Sequence, residues 1–141
     1  LSIRRQRQMC IRDRIKVVGA VLVHDGRVFA AKRGPGKSMA GYWEFPGGKV
    51  EADETPEEAL ARELREELKI DVTVGEFIVT ATHEAGTAVI ELSTYLCTII
   101  EGVPVLTEHE EFRWLPVSEL SDVEWAPADI PTVELLRERF A

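Results

Sequence analysis

The chain has 141 residues, of which 45% are apolar, and this length and composition fit one globular domain. No apolar run approaches the roughly 20 residues that a membrane span requires, and no secretory signal opens the chain. Its two cysteines form neither a disulfide framework nor a metal-binding motif. We therefore expect a soluble, cytoplasmic protein without a membrane partner.

The net charge of −8 is unevenly distributed along the chain. Residues 1–14 contain five arginines and one aspartate, a charge of +4, so the remainder carries −12. A surface this acidic repels nucleic acid, and the sequence argues against binding of DNA or RNA polymers.

Residues 1–14 also lack an apolar period and a helix cap. They resemble the Arg-rich peptides that arise when adaptor DNA is translated in frame with a gene. We expect a non-native or disordered extension at residues 1–14, with a native arm as the alternative, and one domain at residues 15–141.

The first predicted elements form a β-hairpin. Residues 17–23 and 28–31 are apolar and largely β-branched, and Asp25-Gly26 between them favours a tight turn. A glycine-rich loop is expected at residues 34–41, followed by a short apolar segment at residues 42–45.

A helix is predicted to begin at residue 56. Thr55 is expected to be its N-cap, Pro56 occupies the first helical position, and Glu58 completes a capping box. The helical period continues to about Leu68.

Further apolar patterns predict strands at residues 70–74, 77–81, 88–100 and 112–117, and a last helix at residues 133–140. Strands around one central helix, with a second helix at the end, predict an α+β fold, an α/β/α sandwich.

Three glutamates share one face of the predicted central helix: Glu63, Glu66 and Glu67. Neighbouring carboxylates repel one another, so a cation should accompany them. Hard oxygen ligands on one face suit Mg²⁺ or Mn²⁺. A solvated acidic face paired with arginines is the alternative.

The glutamates belong to a longer pattern. Gly48 is followed after five residues by Glu54, and after seven more by Arg-Glu-Leu-Arg-Glu-Glu-Leu at residues 62–68, with Ile70 closing. This spacing resembles the Nudix box of pyrophosphohydrolases that act on nucleoside diphosphates linked to another group. The family usually has glycine where this chain has Lys69, and a left-handed backbone there would cost lysine about 1 kcal/mol without removing a ligand.

The resemblance covers nearly everything from Lys16 to Phe140 and indicates the MutT-like branch. It is carried by Glu-Phe-Pro-Gly-Gly-Lys at residues 44–49, by Glu108 six residues before Trp114, and by Ala-Pro-Ala-Asp-Ile-Pro at residues 126–131. This branch includes 8-oxo-dGTP diphosphatases and CTP pyrophosphohydrolases. The resemblance therefore implies a Nudix fold, with the box helix and a C-terminal helix packed on a mixed sheet.

The resemblance also implies roles for individual residues. The catalytic residues would be Glu63, Glu66 and Glu67. The metal ligands would be the same three glutamates, the carbonyl of Gly47, and Glu108. The substrate-binding residues would be Arg33 and Lys49 for the phosphates, and Phe45 and Asp129 for the base. Glu54 and Arg62 would orient the loop and its carboxylates.

Several of these assignments have alternatives at this stage. Arg33 is equally well explained as a surface charge, and Glu108 competes with Glu110 and Glu111. Asp129 is equally well explained as the N-cap of the last helix. The histidines at positions 24, 83 and 109 are isolated and receive no role, and the three tryptophans are expected in the core or at its rim.

The implied reaction is Mg²⁺-dependent hydrolysis of a nucleoside triphosphate to a monophosphate and pyrophosphate, with Mn²⁺ as a substitute metal. The expected substrate is 8-oxo-dGTP, and CTP or 5-methyl-dCTP is the alternative. Substrate and domain are both negative, so the metal would neutralise them and activate a water whose proton passes to Glu63 or Glu66.

We expect a monomer or weak dimer. A Nudix binding module that has lost catalysis is the alternative from another class, and its mark would be missing box glutamates, all of which are present. An isoprenoid diphosphate isomerase would need a cysteine in the pocket, for which only Cys97 in an apolar strand is available.

Overall fold

A computed structural model describes residues 13–140 of the chain, and within them it contains seven strands and two α-helices. The strands are β1 Asp13–His24, β2 Arg27–Arg33, β3 Trp43–Glu44, β4 Gly47–Lys49, β5 Asp71–Ala85, β6 Ala88–Glu101 and β7 His109–Pro116. The helices are α1 Pro56–Leu68 and α2 Ile130–Phe140, and two short 3₁₀ turns occupy Val117–Asp122 and Pro127–Asp129.

Strand β1 organises the mixed sheet, whose main path runs β3-β2-β1-β6-β5. Along most of its length β1 pairs in parallel with β6, and Val17 to Gly19 also pair antiparallel with β4. Its end pairs with β2 through a turn at Asp25-Gly26, where both residues have positive φ. The predicted hairpin is confirmed.

Helix α1 begins and ends as its sequence dictates. The Thr55 side chain accepts a hydrogen bond from the Glu58 backbone N–H, and the Glu58 carboxylate accepts one from the Thr55 N–H. The helix ends at Leu68, and Lys69 adopts the left-handed conformation with φ 59°. The predicted bounds of this helix are confirmed.

The core has two apolar layers, one on each face of the sheet. Leu60, Leu64 and Leu68 of α1 are fully buried against alternate residues of β1 such as Ala20 and Leu22. On the opposite face Val21 of β1 packs in a cluster with Val133 and Leu136 of α2 and with two tryptophans, Trp43 and Trp125. The predicted α/β/α sandwich is confirmed.

Several predicted element bounds differ from the structure. The two strands expected at residues 70–74 and 77–81 are one strand, β5, with register shifts around Gly75 that the strand absorbs without breaking. Helix α2 begins at Ile130 rather than at residue 133, because the 3₁₀ turn before it continues directly into the helix.

Strand β1 begins at Asp13, two residues before the domain boundary that we expected after Arg14. Asp13 and Arg14 pair with Ala88 and Val89 of β6, and the Arg14 guanidinium lies 3.1 Å from a carboxylate oxygen of Glu91. Residues 1–12 lie outside the described part of the chain, and the prediction of an extension there stays a prediction.

Between residues 13 and 140, no helix combines the length and the apolar character that crossing a bilayer demands.

Candidate active site

A cleft of about 630 Å³ collects predicted site residues that are far apart in the sequence. The predicted residues that line it are Arg33, Phe45, Gly47, Lys49, Glu67, Glu108 and Asp129. Its volume is in the range usual for small-molecule sites. Of the predicted site residues, Glu63 and Glu66 are not in its lining.

A second, larger depression of about 960 Å³ lies beside α2. It is lined by apolar residues of β1 and β2 and by charged residues of α2, such as Glu134 and Arg137, and by none of the predicted site residues. We therefore assign the active site to the smaller cleft, where carboxylates and cationic side chains converge.

Arg62 ties together the loop after β4 and the acidic face of α1. Its guanidinium binds both oxygens of Glu54, with Nε–Oε2 at 2.6 Å and Nη2–Oε1 at 3.0 Å. Nη1 donates to Glu63 at 3.0 Å and to Glu66 at 3.2 Å, and Nη2 donates to the carbonyl of Lys49 at 3.1 Å. These are the contacts of a residue that positions the loop and its carboxylates.

Arg62 also favours the ionised form of the Glu54 carboxyl. Its hydrogen bonds hold the pKa of Glu54 below the usual value, since they favour the ionised form. Glu54 in turn accepts a hydrogen bond from the backbone N–H of Glu51, which closes the loop before α1.

Two adjacent glycines bring β4 close to its neighbours. A Cβ on Gly47 would lie 1.9 Å from the carbonyl oxygen of Val18, and a Cβ on Gly48 would lie 2.4 Å from Cδ of Glu63. Gly47 pairs with Gly19 of β1. Strand β4 therefore lies between β1 on one side and the Glu63 carboxylate of α1 on the other, in close contact with both. Only glycine fits at position 47, where the close atoms are backbone, whereas a side chain at position 48 would have to displace the Glu63 carboxylate.

Glu67 is the most perturbed carboxyl of the acidic face. Burial raises its pKa to about 8, and the carboxylates of Glu63, Glu108 and Glu44 add to the effect. Its Oε2 is buried and has no hydrogen-bond partner among residues 13–140. Burial also raises the pKa of Glu63, although Arg62 opposes the shift. Each of these carboxyls is therefore a group that a cation would stabilise.

The donor set fits a divalent cation. Within residues 13–140 no three carboxylates or imidazoles are close enough to form a complete cage by themselves. Mg²⁺ does not require one, because it retains several waters and binds through one or two carboxylates and substrate phosphates. The orphaned oxygen of Glu67, the nearby Glu108 and the close approach of Gly48 to Glu63 meet that requirement.

Glu66 lies at the rim of this group. Its side chain is 59% exposed, and Arg62 is its hydrogen-bond partner. The structure thus brings Glu63, Glu67 and Glu108 within electrostatic reach of one another and places Glu66 outside the cleft lining.

The ion-pair partners of Glu108, Glu110 and Glu111 distinguish which of the three glutamates belongs to the site. Glu110 forms an ion pair with Lys32 at 3.1 Å, and Glu111 forms one with Arg113 at 3.1 Å. Glu108 lies in the cleft, 3.8 Å from the ammonium group of Lys37. Only Glu108 of the three is placed to join the helix glutamates.

Another part of the cleft lining contains Asp129 and Phe45. The Asp129 side chain accepts a hydrogen bond from the backbone N–H of Phe45 at 3.3 Å, and the residue is 5% exposed. Burial raises the pKa of Asp129 well above the usual value. Phe45 packs on Trp125 with ring centroids 4.6 Å apart, so the backbone rather than the ring meets the aspartate. Because its carboxyl holds Phe45 of the cleft wall, Asp129 belongs to this part of the site.

The cationic side chains of the cleft are partly engaged by the protein. Arg33 donates to Glu44 at 2.8 Å, to the carbonyl of Ser38 at 2.6 Å and to the Ser38 hydroxyl at 3.2 Å. Lys49 is exposed at the cleft wall, and Lys37 approaches Glu108. Arg33 therefore anchors the 34–41 loop in addition to any contact with a ligand.

Glu44 and His109 are residues of the site that received no role from the sequence. The imidazole Nε2 of His109 lies 2.9 Å from Oε2 of Glu44, and both residues line the cleft. Glu44 stands inside the motif that indicated the branch, and His109 follows Glu108, but their contact joins residues 65 positions apart. No local pattern reveals such a pair.

Cys97 is not placed for catalysis. It is buried in an apolar strand, and burial raises the pKa of its thiol to about 12. A thiol of this kind is not a nucleophile at neutral pH, which removes the isomerase alternative.

The chain matches a family model described as the NUDIX domain over residues 13–136. It is similar to the CTP pyrophosphohydrolase of Escherichia coli, with 41% identity over 120 residues that cover 85% of this chain and 89% of that protein. It is also similar to the putative 8-oxo-dGTP diphosphatase 2 of Mycobacterium tuberculosis, with 40% identity over 116 residues, 80% of this chain and 81% of that protein.

Among solved structures, the solution structure of the ORF135 protein of Escherichia coli is similar to this chain. The two share 38% sequence identity with a TM-score of 0.81, over 92% of this chain and 93% of that one.

Proposed function

The chain belongs to the MutT-like branch of the Nudix family, hydrolases that act on phosphorus anhydrides, and we propose that it is a Mg²⁺-dependent nucleoside triphosphate pyrophosphohydrolase. Its products would be a nucleoside monophosphate and pyrophosphate. One observation carries the proposal: Glu67 and Glu108 line one cleft together with the buried carboxyl of Asp129, and Glu63 of α1 is near enough to raise the pKa of Glu67.

The acidic part of the cleft would hold the metal and the polyphosphate. Glu63, Glu67 and Glu108 would bind the cations with the carbonyl of Gly47, and Glu66 would join them from the rim. When bound, divalent cations neutralise the phosphates, lower the pKa of a water and stabilise the leaving phosphate. Lys37 and Lys49 stand at the wall beside these carboxylates, where they would attract phosphate oxygens.

Two arginines of the chain would position the groups that act beside the metal. Arg62 fixes Glu63 and Glu66, the two candidates that accept the proton of the attacking water. Arg33 holds the 34–41 loop through Ser38, and the loop would limit the access of bulk water to bound phosphates.

The part of the cleft around Asp129 fits a nucleobase edge. In its protonated form, which the raised pKa favours, Asp129 accepts with one oxygen, which already binds the Phe45 N–H, and donates from the other. This pattern complements N3 and the amino group of cytosine, and it also complements O6 and N1–H of an oxidised guanine. Cytosine is the base that we test first, because the relative with 41% identity is named a CTP pyrophosphohydrolase.

A second candidate is 8-oxo-dGTP, the substrate expected from the sequence. It is favoured by the relative with 40% identity, which is named a putative 8-oxo-dGTP diphosphatase. Both candidates share the same chemistry at the phosphates and differ only at the base.

A pyrophosphate-release panel tests the proposal. The purified full chain is assayed with CTP, 5-methyl-dCTP, 8-oxo-dGTP, dGTP and ADP-ribose, with Mg²⁺ and with excess chelator. We expect release from at least one of the modified or cytosine triphosphates, and its loss with chelator. Tight nucleotide binding without turnover would instead indicate a non-catalytic module, and turnover that survives the chelator would exclude the metal.

A further inference from the structure

Glu44 is held from two sides by side chains of neighbouring strands. Its Oε1 accepts a hydrogen bond from Nη1 of Arg33 at 2.8 Å, and its Oε2 lies 2.9 Å from Nε2 of His109. A carboxylate can only accept, so the imidazole carries its hydrogen on Nε2 and donates it. Both oxygens of Glu44 are therefore engaged.

The His109 ring is buried more deeply than a surface histidine. Its side chain is 6% exposed, and within residues 13–140 its Nδ1 is buried without a hydrogen-bond partner. The contact with Glu44 is thus the only polar contact that fixes the ring among the described residues. A buried nitrogen without a hydrogen-bond partner lowers the stability of the fold, and the hydrogen bond to the charged Glu44 offsets this loss.

A bulge in β7 produces this arrangement. Lys32 of β2 pairs with Glu111, but the next residue, Arg33, pairs with His109, so Glu110 is an extra residue on β7. The extra residue sends Glu110 to its ion pair with Lys32 and turns His109 to the face that carries Arg33. The residue of β2 opposite Glu44 is Ala31, whose methyl group leaves room for Glu44 and His109 to meet across the strand.

Glu44 affects both parts of the cleft. Its negative charge reaches Glu67 in the acidic part and Asp129 in the other part, and it disfavours ionisation of both. Its partner Arg33 holds the 34–41 loop through two bonds to Ser38. A change in the position of Glu44 would therefore displace a charge and a loop at the same time.

We propose that His109 is a positioning residue for the hydrolysis: by donating to Oε2 of Glu44 it fixes the carboxylate against which Arg33 and the 34–41 loop are set, on the phosphate side of the cleft. This inference rests on the proposed function. Without the imidazole donor, Glu44 keeps one partner and rotates, and Arg33 loses its fixed acceptor. The triphosphate then binds to a loop that must first be ordered.

Steady-state kinetics of two substitutions at position 109 test this role. His109→Ala removes the donor, and we expect KM for the triphosphate to rise about tenfold with kcat within about threefold, the size expected for one hydrogen bond to a charged group. His109→Gln carries an amide N–H that can reach Glu44, and it should recover most of the loss. His24→Ala, on the exposed β1–β2 turn, is the matched control and should behave as the wild type.

A double-mutant cycle separates action through Glu44 from general packing. If His109 acts through Glu44, adding His109→Ala to Glu44→Ala should raise KM by less than twofold further, since the partner is already gone. Fully independent effects of the two substitutions would overturn the inference. So would a His109→Gln variant as impaired as His109→Ala, or a loss confined to the melting temperature.

Nitrogen NMR of the imidazole gives a readout that does not depend on turnover. In the ligand-free full chain, His109 should carry hydrogen on Nε2, and Glu44→Gln should shift the Nε2 signal. An Nε2 without hydrogen would overturn the inference whether or not the protein is active. Absence of pyrophosphate release by the wild type would contradict the proposed function instead, and a normal KM for His109→Ala in an active enzyme would contradict only this inference.

Discussion

Gly48 lies directly against the carboxylate of Glu63, so close that a methyl group on Gly48 would stand 2.4 Å from Glu63 Cδ. The contact is with the end of a side chain, whereas the neighbouring Gly47 faces the backbone oxygen of Val18 at 1.9 Å. The two glycines therefore have different consequences when replaced, although they are adjacent in the chain.

This difference predicts opposite patterns for two substitutions. Gly48→Ala should displace the Glu63 carboxylate and lower kcat/KM by about a hundredfold, while stability falls by no more than about 1 kcal/mol. Gly47→Ala should destabilise the fold by about 3 kcal/mol, because backbone cannot move aside as a side chain can. Urea denaturation and pyrophosphate release measure the two effects. Equal loss of stability in both variants would contradict the assignment.

Glu67→Gln should raise the stability of the metal-free protein and lower its activity. The pKa of Glu67 is about 8 in the folded protein, against about 4.3 in an unfolded chain. The stability that its protonated form contributes is present below about pH 4.3, falls as pH rises, and is gone above about pH 8. In chelator, the melting temperature of Glu67→Gln should therefore exceed that of the wild type increasingly from pH 5 to about pH 8, and by a constant amount above it.

The same variant should lose at least about a hundredfold in turnover, because a neutral amide is a poor ligand for Mg²⁺. Titration with Mn²⁺ should show wild-type affinity that rises toward pH 8, as the carboxyl loses its proton, and a weaker, flatter profile for Glu67→Gln. A wild-type melting temperature that rises with pH through this window would show that Glu67 is ionised in the apo protein.

Asp129 should govern base preference more than maximal rate. Asparagine keeps one donor and one acceptor in the place of a protonated carboxyl, whereas alanine has neither. Asp129→Asn should retain the preferred base, and Asp129→Ala should change the ratio of kcat/KM for CTP and 8-oxo-dGTP by about tenfold or more. An unchanged ratio in Asp129→Ala would remove this residue from base recognition.

Lys69 carries a stability cost that glycine would relieve. It has φ of 59°, a left-handed conformation that a residue with a Cβ rarely adopts. Lys69→Gly should raise the free energy of unfolding by roughly 0.5 to 1 kcal/mol, and Lys69→Ala, the matched control, should not. Chemical denaturation of the two variants checks this, and equal stability of both would show that the conformation is not strained.

Removal of residues 1–12 should leave activity and melting temperature unchanged, whereas removal of residues 1–14 should lower the melting temperature. The second deletion eliminates the first two pairs of β1 with β6 and the ion pair of Arg14 with Glu91. A large effect of the shorter deletion would show that the segment is a native element.

Features encoded by near neighbours were predictable from the sequence. Thr55, Pro56 and Glu58 define the start of α1 within four positions, and the Asp25-Gly26 turn specifies its hairpin in the same way. The spacing from Gly48 to Glu67 indicated the acidic helix face, since residues three and four apart share a helix surface.

Features that depend on strand register were not predictable. The extra residue Glu110 turns His109 toward Glu44, and nothing in the local sequence marks a bulge there. The bond from Phe45 to Asp129 joins residues 84 positions apart, so the choice between a cap and a pocket residue required the fold. The continuous strand β5 escaped prediction because Gly75, which reads as a break, is accommodated as an irregularity.

The 3₁₀ turn Pro127–Asp129 comes from a part of the chain that contributes nothing to the carboxylate helix. If Asp129 recognises the base as proposed, a library confined to Ala126, Pro127, Ala128 and Asp129 would change the accepted nucleobase while leaving the glutamates of α1 in place. The fold would then allow base preference to be selected without redesign of the carboxylate helix.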